Sequence, residues 1–75
     1  MDKSEFLANF VEQFEDTDPN EINFDTKFHE LDEWSSLVGM MLIAMAKVSY
    51  DKNISGTELK QCVTVEDVYN LIAGK

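Results

Sequence analysis

Apolar residues recur along this chain at helical rather than strand spacing. Near the start, Phe6, Leu7, Phe10, Val11 and Phe14 keep the i, i+3, i+4 rhythm, while Glu5, Asn9, Glu12, Gln13 and Glu15 fill the other face, which predicts an amphipathic first helix. Asp2 or Ser4 stands near its beginning, and Asp18-Pro19 lies beyond its end, because the residue before a proline is pushed out of the helical region. From Thr17 to Glu33 the rhythm loosens. Ile22, Phe24, Phe28 and Leu31 are spaced there as anchors for an ordered loop, with a helical turn expected around Lys27 to Leu31.

Trp34-Ser35-Ser36-Leu37 then opens an unbroken apolar run, Val38 to Ala46. A serine just before such a run can accept a hydrogen bond from an orphaned backbone N–H, so Ser35 is the expected N-cap of a helix over Ser36 to Tyr50. Ser36 falls at the first helical position, near the positive end of the helix dipole, a place suited to carrying a phosphate. Gly39, Leu42, Ile43, Ala46 and Tyr50 form the stripe expected to face the core. Val38, Met41, Met45 and Val48 make the opposite face apolar too, and in so short a chain part of that face is expected to be exposed as a docking surface, unless a packed helix or a second chain covers it.

After Asp51-Lys52-Asn53 the chain turns. Ser55-Gly56-Thr57-Glu58 matches the S-x-x-E capping box and predicts a short helix to about Gln61. Thr64-Val65-Glu66-Asp67 repeats the arrangement with Asp for Glu and opens a last helix, with Val65, Val68, Leu71 and Ile72 on one face, stopping near Gly74. No segment alternates with period two for long enough to require a sheet. The expected fold is all-α, a small four-helix bundle of three longer helices and one short one, with residues 1–75 as a single domain.

Composition narrows the function. A domain of 75 residues buries roughly 60% of its unfolded surface, which leaves little room for an enclosed active site. One cysteine cannot form an internal disulfide, no apolar run approaches the roughly 20 residues of a membrane span, and no basic-then-apolar leader opens the chain, so a soluble, cytoplasmic protein is expected. Fifteen acids against six lysines give a net charge of −9 with no arginine, which disfavours nucleic acid and favours basic surfaces on protein partners. The lone His29 has no serine or cysteine beside it in sequence and reads as a surface residue of a polar loop. Cys62, among apolar neighbours, reads as a small core residue rather than a reactive thiol. Asp16-Thr17-Asp18-Pro19-Asn20 has the D-x-D-x-N opening of a calcium loop, but Glu21 replaces the turn glycine and Lys27 the bidentate glutamate, so calcium binding is not expected.

Taken together, these motifs resemble the acyl carrier and peptidyl carrier protein family along almost the whole chain. The points of likeness are the amphipathic first helix, the long loop, a serine followed by leucine at the start of the second helix, the short third helix, and the Thr64-Val65-Glu66-Asp67 entry to the last. In that family the serine of a D-S-L motif carries 4'-phosphopantetheine, transferred from coenzyme A by a separate Mg²⁺-dependent enzyme. The matching serine is Ser36, and Trp34 resembles the first residue of the W-D-S-L form. The resemblance implies a stand-alone, monomeric carrier, not itself an enzyme. It would hold acyl groups as thioesters on the arm of Ser36, in fatty acid, polyketide or related biosynthesis, and would serve a phosphopantetheinyl transferase and acyl-loading or acyl-processing enzymes. Trp34, Ser35, Leu37, Val38, Met41, Met45 and Val48 are the expected docking residues. Two departures stand out: Ser35 occupies the place of the usual aspartate, and the second helix carries no acids, which lie instead at Glu30, Asp32 and Glu33. The alternative is a helical adaptor that keeps the carrier fold without the prosthetic group.

Overall fold

The computed structural model describes all 75 residues as four helices joined by turns and loops: α1 (Lys3–Val11), α2 (Ser36–Tyr50), α3 (Gly56–Gln61) and α4 (Val65–Ala73), with 3₁₀ turns at Pro19–Glu21 and Phe28–Glu30. There are no strands. The all-α expectation, with three longer helices and one short one, matches this architecture.

Each helix begins where a side chain can take up orphaned N–H groups. The Asp2 carboxylate accepts from Ser4 N at 2.8 Å to open α1, and Ser35 Oγ accepts from Val38 N at 3.3 Å to open α2. Both capping boxes form. Ser55 and Glu58 exchange bonds at 2.9 and 3.1 Å, and Thr64 and Asp67 at 3.0 and 3.2 Å. The far end of α2 is closed by Asp51 in the left-handed region (φ 55°), where its amide and that of Lys52 reach back to Ala46 and Lys47 carbonyls. The Asp51 carboxylate meanwhile meets Lys47 Nζ at 2.8 Å.

Helix α1 is shorter than its apolar rhythm suggested. After Val11 the chain tightens, Phe14 N donating to Val11 O at 2.9 Å, and this turn still delivers Phe14 to the core. The turn at Pro19–Glu21 was not expected from the sequence. Asp18 caps it by accepting from Asn20 N at 2.9 Å, with Pro19 at its first position, so the calcium-like Asp-Pro-Asn stretch is turn chemistry.

One cluster of 15 buried side chains joins all four helices and the loop. Its fully buried members include Phe6, Phe10, Phe28, Leu42, Val65, Val68 and Ile72, each worth about 1.5–3 kcal/mol in removal from water. Phe10 stacks on Phe14 at 5.4 Å and meets Phe28 edge-on at 5.7 Å, while Phe6 meets Tyr69 edge-on at 5.4 Å. The loop is stitched to the last helix through its backbone, since Val65 N donates to Thr26 O at 3.2 Å and Glu66 N to Phe24 O at 3.1 Å. Two of the N–H groups that any helix start leaves unpaired are thereby satisfied by loop carbonyls. No helix is long and apolar enough to cross a membrane.

The core-facing side of α2 is turned from the one expected. Val38, Gly39, Leu42, Met45 and Ala46 are buried, whereas Ile43 and Tyr50 are only half-buried. In a helix apolar nearly all round, periodicity has no phase, and the inward side is chosen by how α1 and α3 pack against it.

Candidate functional site

The two serines at the head of α2 divide the work between them. Ser35 has extended backbone, φ −158°, and spends its hydroxyl on the cap, while its carbonyl accepts from Gly39 N at 3.0 Å. Ser36 is the first helical residue and is exposed. Its hydroxyl therefore stands at the positive end of a 15-residue helix without a structural task in holding that end together.

Beside Ser36 opens a groove of about 300 Å³ between α2 and α3. Ser36, Gly39, Met40 and Ile43 form one wall, at the spacing of a single helix face, and Gly56, Leu59 and Lys60 of α3 form the other. Trp34 also lines it. Its ring lies so close over α2 that a Cβ on Gly39 would sit 3.3 Å from Trp34 Cη2, so the glycine is what lets the indole in. Trp34 in turn meets Phe28 edge-on at 5.2 Å and His29 at 4.6 Å.

His29 is not the surface residue its sequence context suggested. Its ring is half-buried against Phe28, and Nε2 lies 3.3 Å from Leu59 O and 3.1 Å from Cys62 O. Carbonyls only accept, so Nε2 carries a hydrogen and donates to the carbonyl of Leu59, which also accepts from Cys62 N at 3.2 Å, and to that of Cys62, the C-cap residue of α3. The histidine thus ties the loop to the groove's second wall.

Cys62 is buried, as expected. Burial foremost, then the charges of Asp67 and Glu58, pushes its thiol above the ordinary cysteine range, so it stays protonated, and Sγ lies 3.5 Å from Glu58 O. No group of three or more His, Cys, Asp or Glu side chains is arranged to hold a metal ion.

The expected docking residues separate into three groups. Leu37 (66% exposed) and Val48 (85%) lie on the surface, and Met41, half-buried, falls between them on the same ridge. Val38 (5%) and Met45 (6%) are corrected to core residues, because both are almost fully buried in the cluster that joins the helices. Trp34 and Ser35 are structural neighbours of Ser36, one as groove wall and one as cap. Met40, 66% exposed on the groove side, was not singled out from the sequence, although its place one turn from Ser36 was legible there.

Carboxylates stand beside α2 rather than on it. A shallow depression beside Leu37 and Met41 is bordered by Glu15, Asp16 and Glu33. Glu33 also holds the loop in place, its Oε1 accepting from Asp16 N at 3.0 Å and from Thr17 Oγ1 at 2.6 Å.

No protein-family model matches the chain, and comparison with curated proteins and with solved structures finds no significant match.

Proposed function

We propose that this chain is a carrier protein whose Ser36 holds a 4'-phosphopantetheine arm. The observation that supports this most directly is the division of labour at the head of α2, where Ser35 caps the helix and leaves the exposed Ser36 hydroxyl free beside a groove. In the attachment step, Ser36 Oγ attacks the phosphorus of coenzyme A that bears the pantetheine. The new Oγ–P bond replaces the P–O bond to adenosine 3',5'-bisphosphate, which leaves with the electron pair, and the serine proton passes to a base of the transferase. Once attached, the arm supplies a thiol that carries acyl groups as thioesters.

The chain's own residues do the rest. Ser35 and the buried Val38, Leu42 and Met45 keep the attachment point rigid. The ridge of Leu37, Met41 and Val48, with Glu15, Asp16 and Glu33 beside it, suits a partner surface that combines an apolar contact with basic side chains. A tethered thiol needs only brief docking, since attachment makes each reaction effectively local.

The test is incubation with coenzyme A, Mg²⁺ and a broad-specificity phosphopantetheinyl transferase, followed by intact mass. One phosphopantetheine should be gained, abolished by Ser36→Ala and retained by Ser35→Ala. No gain overturns the carrier reading in favour of the adaptor, and a gain lost only in Ser35→Ala moves the site to the neighbouring serine.

A further inference from the structure

Lys3 is the first residue of α1, the end of a helix at which the dipole disfavours a cation. Its ammonium is nevertheless held there by groups from elsewhere in the chain. It lies 4.9 Å from the centre of the Phe24 ring and 5.3 Å from that of Tyr69, two rings that meet edge-on at 6.0 Å. It also donates to Glu66 Oε2 at 3.4 Å, and the Tyr69 hydroxyl donates to Met1 O at 3.0 Å. The charge at position 3 thus works against α1 itself and for its contact with the loop and α4.

These contacts close a circuit. Lys3 Nζ sits over the Phe24 ring, Phe24 O accepts from Glu66 N at 3.1 Å, and the Glu66 carboxylate accepts from Lys3. Three segments remote in sequence are joined at one point: the N-terminal turn, the loop and the last helix. The loop needs such a hold. Residues 12–35, between α1 and α2, contain nine of the fifteen acids and only one of the six lysines, so their charges repel one another. Lys3 brings a cation to this stretch from outside it.

We propose that the Lys3 ammonium is a latch that locks the acidic loop onto the start of α4. With the latch engaged, the loop opens only with the whole molecule; with the charge removed, the loop and the start of α4 open ahead of it. The latch acts whether or not Ser36 carries an arm. Because the same loop runs on to Trp34 and Ser35, its release would also loosen the chain leading into Ser36. Both side chains of the ion pair are about half exposed, so the hold is moderate. A surface ion pair and an exposed cation–π contact together shift an opening equilibrium by about 5- to 30-fold.

The experiment is native-state hydrogen exchange on the full, unloaded chain in wild type, Lys3→Gln and Lys3→Arg. Glutamine removes the charge at similar helix propensity, and arginine keeps the charge and can stack on both rings. Losing the latch favours loop opening and global unfolding alike. Removing the cation also relieves the dipole wherever α1 stays helical, which favours the folded and loop-open states over the unfolded one. The readout is therefore the exchange of the Val65 and Glu66 amides relative to those of Phe10 and Leu42 in the core. In wild type the four should keep pace. In Lys3→Gln, Val65 and Glu66 should run ahead of the core by about 2- to 5-fold, the part of the loss that dipole relief returns to global stability. In Lys3→Arg they should again keep pace. If all four amides quicken equally in Lys3→Gln, Lys3 is an ordinary stability contact and the latch is overturned. It is equally overturned if Val65 and Glu66 already lead the core in wild type, or if Lys3→Arg behaves like Lys3→Gln.

Discussion

The two seams of this molecule are built from different materials. Where α1, α4 and the loop meet, Phe6, Phe10, Phe28, Val65, Val68 and Ile72 are fully buried and their rings interlock. Where α2 meets α3, the contact is made by a glycine, a six-residue helix and one leucine, and a groove remains open. Large side chains in low-energy contacts leave no space to bind anything, whereas a small residue opposite a short helix cannot fill the gap between them. Stability is concentrated in the first seam, and room for a ligand in the second. Substitutions in one should therefore leave the property of the other largely intact.

The strongest challenge to that division is a pair of truncations. Phe10→Ala removes a fully buried ring touching Phe6, Phe14 and Phe28 and should destabilise the fold by about 3–5 kcal/mol in a denaturant melt. Met40→Ala, at the groove, should stay within about 0.5 kcal/mol of wild type. Comparable losses would show that both seams carry the fold.

A smaller effect is expected at the entry to α4. Thr64→Ala should cost about 1 kcal/mol through loss of the 3.2 Å bond to Asp67 N, with the groove unaffected by Trp34 emission. An unchanged thermal midpoint would mean that the cap contributes nothing.

Acid should act on the capping carboxylates. The Thr64 and Val63 amides hold Asp67 below the ordinary aspartate range, and the Lys75 ammonium and Ser55 amide hold Glu58 below the glutamate range. A carboxyl with a lowered folded-state pKa contributes stability above its unfolded value, and that contribution is lost as pH falls through the folded one. Stability tied to these groups should therefore decline below about pH 4. Protonation also relieves mutual repulsion in this acidic chain, so the informative quantity is the difference between wild type and Asp67→Asn. That difference should shrink on acidification. A difference independent of pH would assign Asp67 a role unrelated to its charge.

The finest test is Gly39→Ala. Alanine is favoured over glycine within a helix by about 0.8–1 kcal/mol, but its Cβ would come 3.3 Å from the Trp34 ring, which must yield by a few tenths of an ångström. Near-neutral stability with shifted Trp34 emission is expected. Unchanged emission would show that the indole is not seated on Gly39.

How much of this was legible in the sequence depends on where each signal resides. Ser35, Ser55 and Thr64 act on amides three residues ahead, so the starts of α2, α3 and α4 could be read from neighbouring letters alone. The inward side of α2 could not, because Val38 and Met45 look no different from Met40 and Val48 until the partner helices are placed. His29 was missed for the same reason, as its acceptors at Leu59 and Cys62 lie on an element remote in sequence. Ser36 was legible as an exposed helix-start serine, but the groove beside it was not, since Lys60 and Leu59 reach it only through the tertiary arrangement.

The two backbone bonds from α4 to the loop give that long connection a property its composition does not suggest. Freeing Phe24 and Thr26 would leave the Val65 and Glu66 amides without acceptors, so the loop and the final helix should open as one cooperative unit. In hydrogen exchange, the Val65 and Glu66 amides would then behave as interior groups with the slow rates of the global transition, despite standing at a helix end.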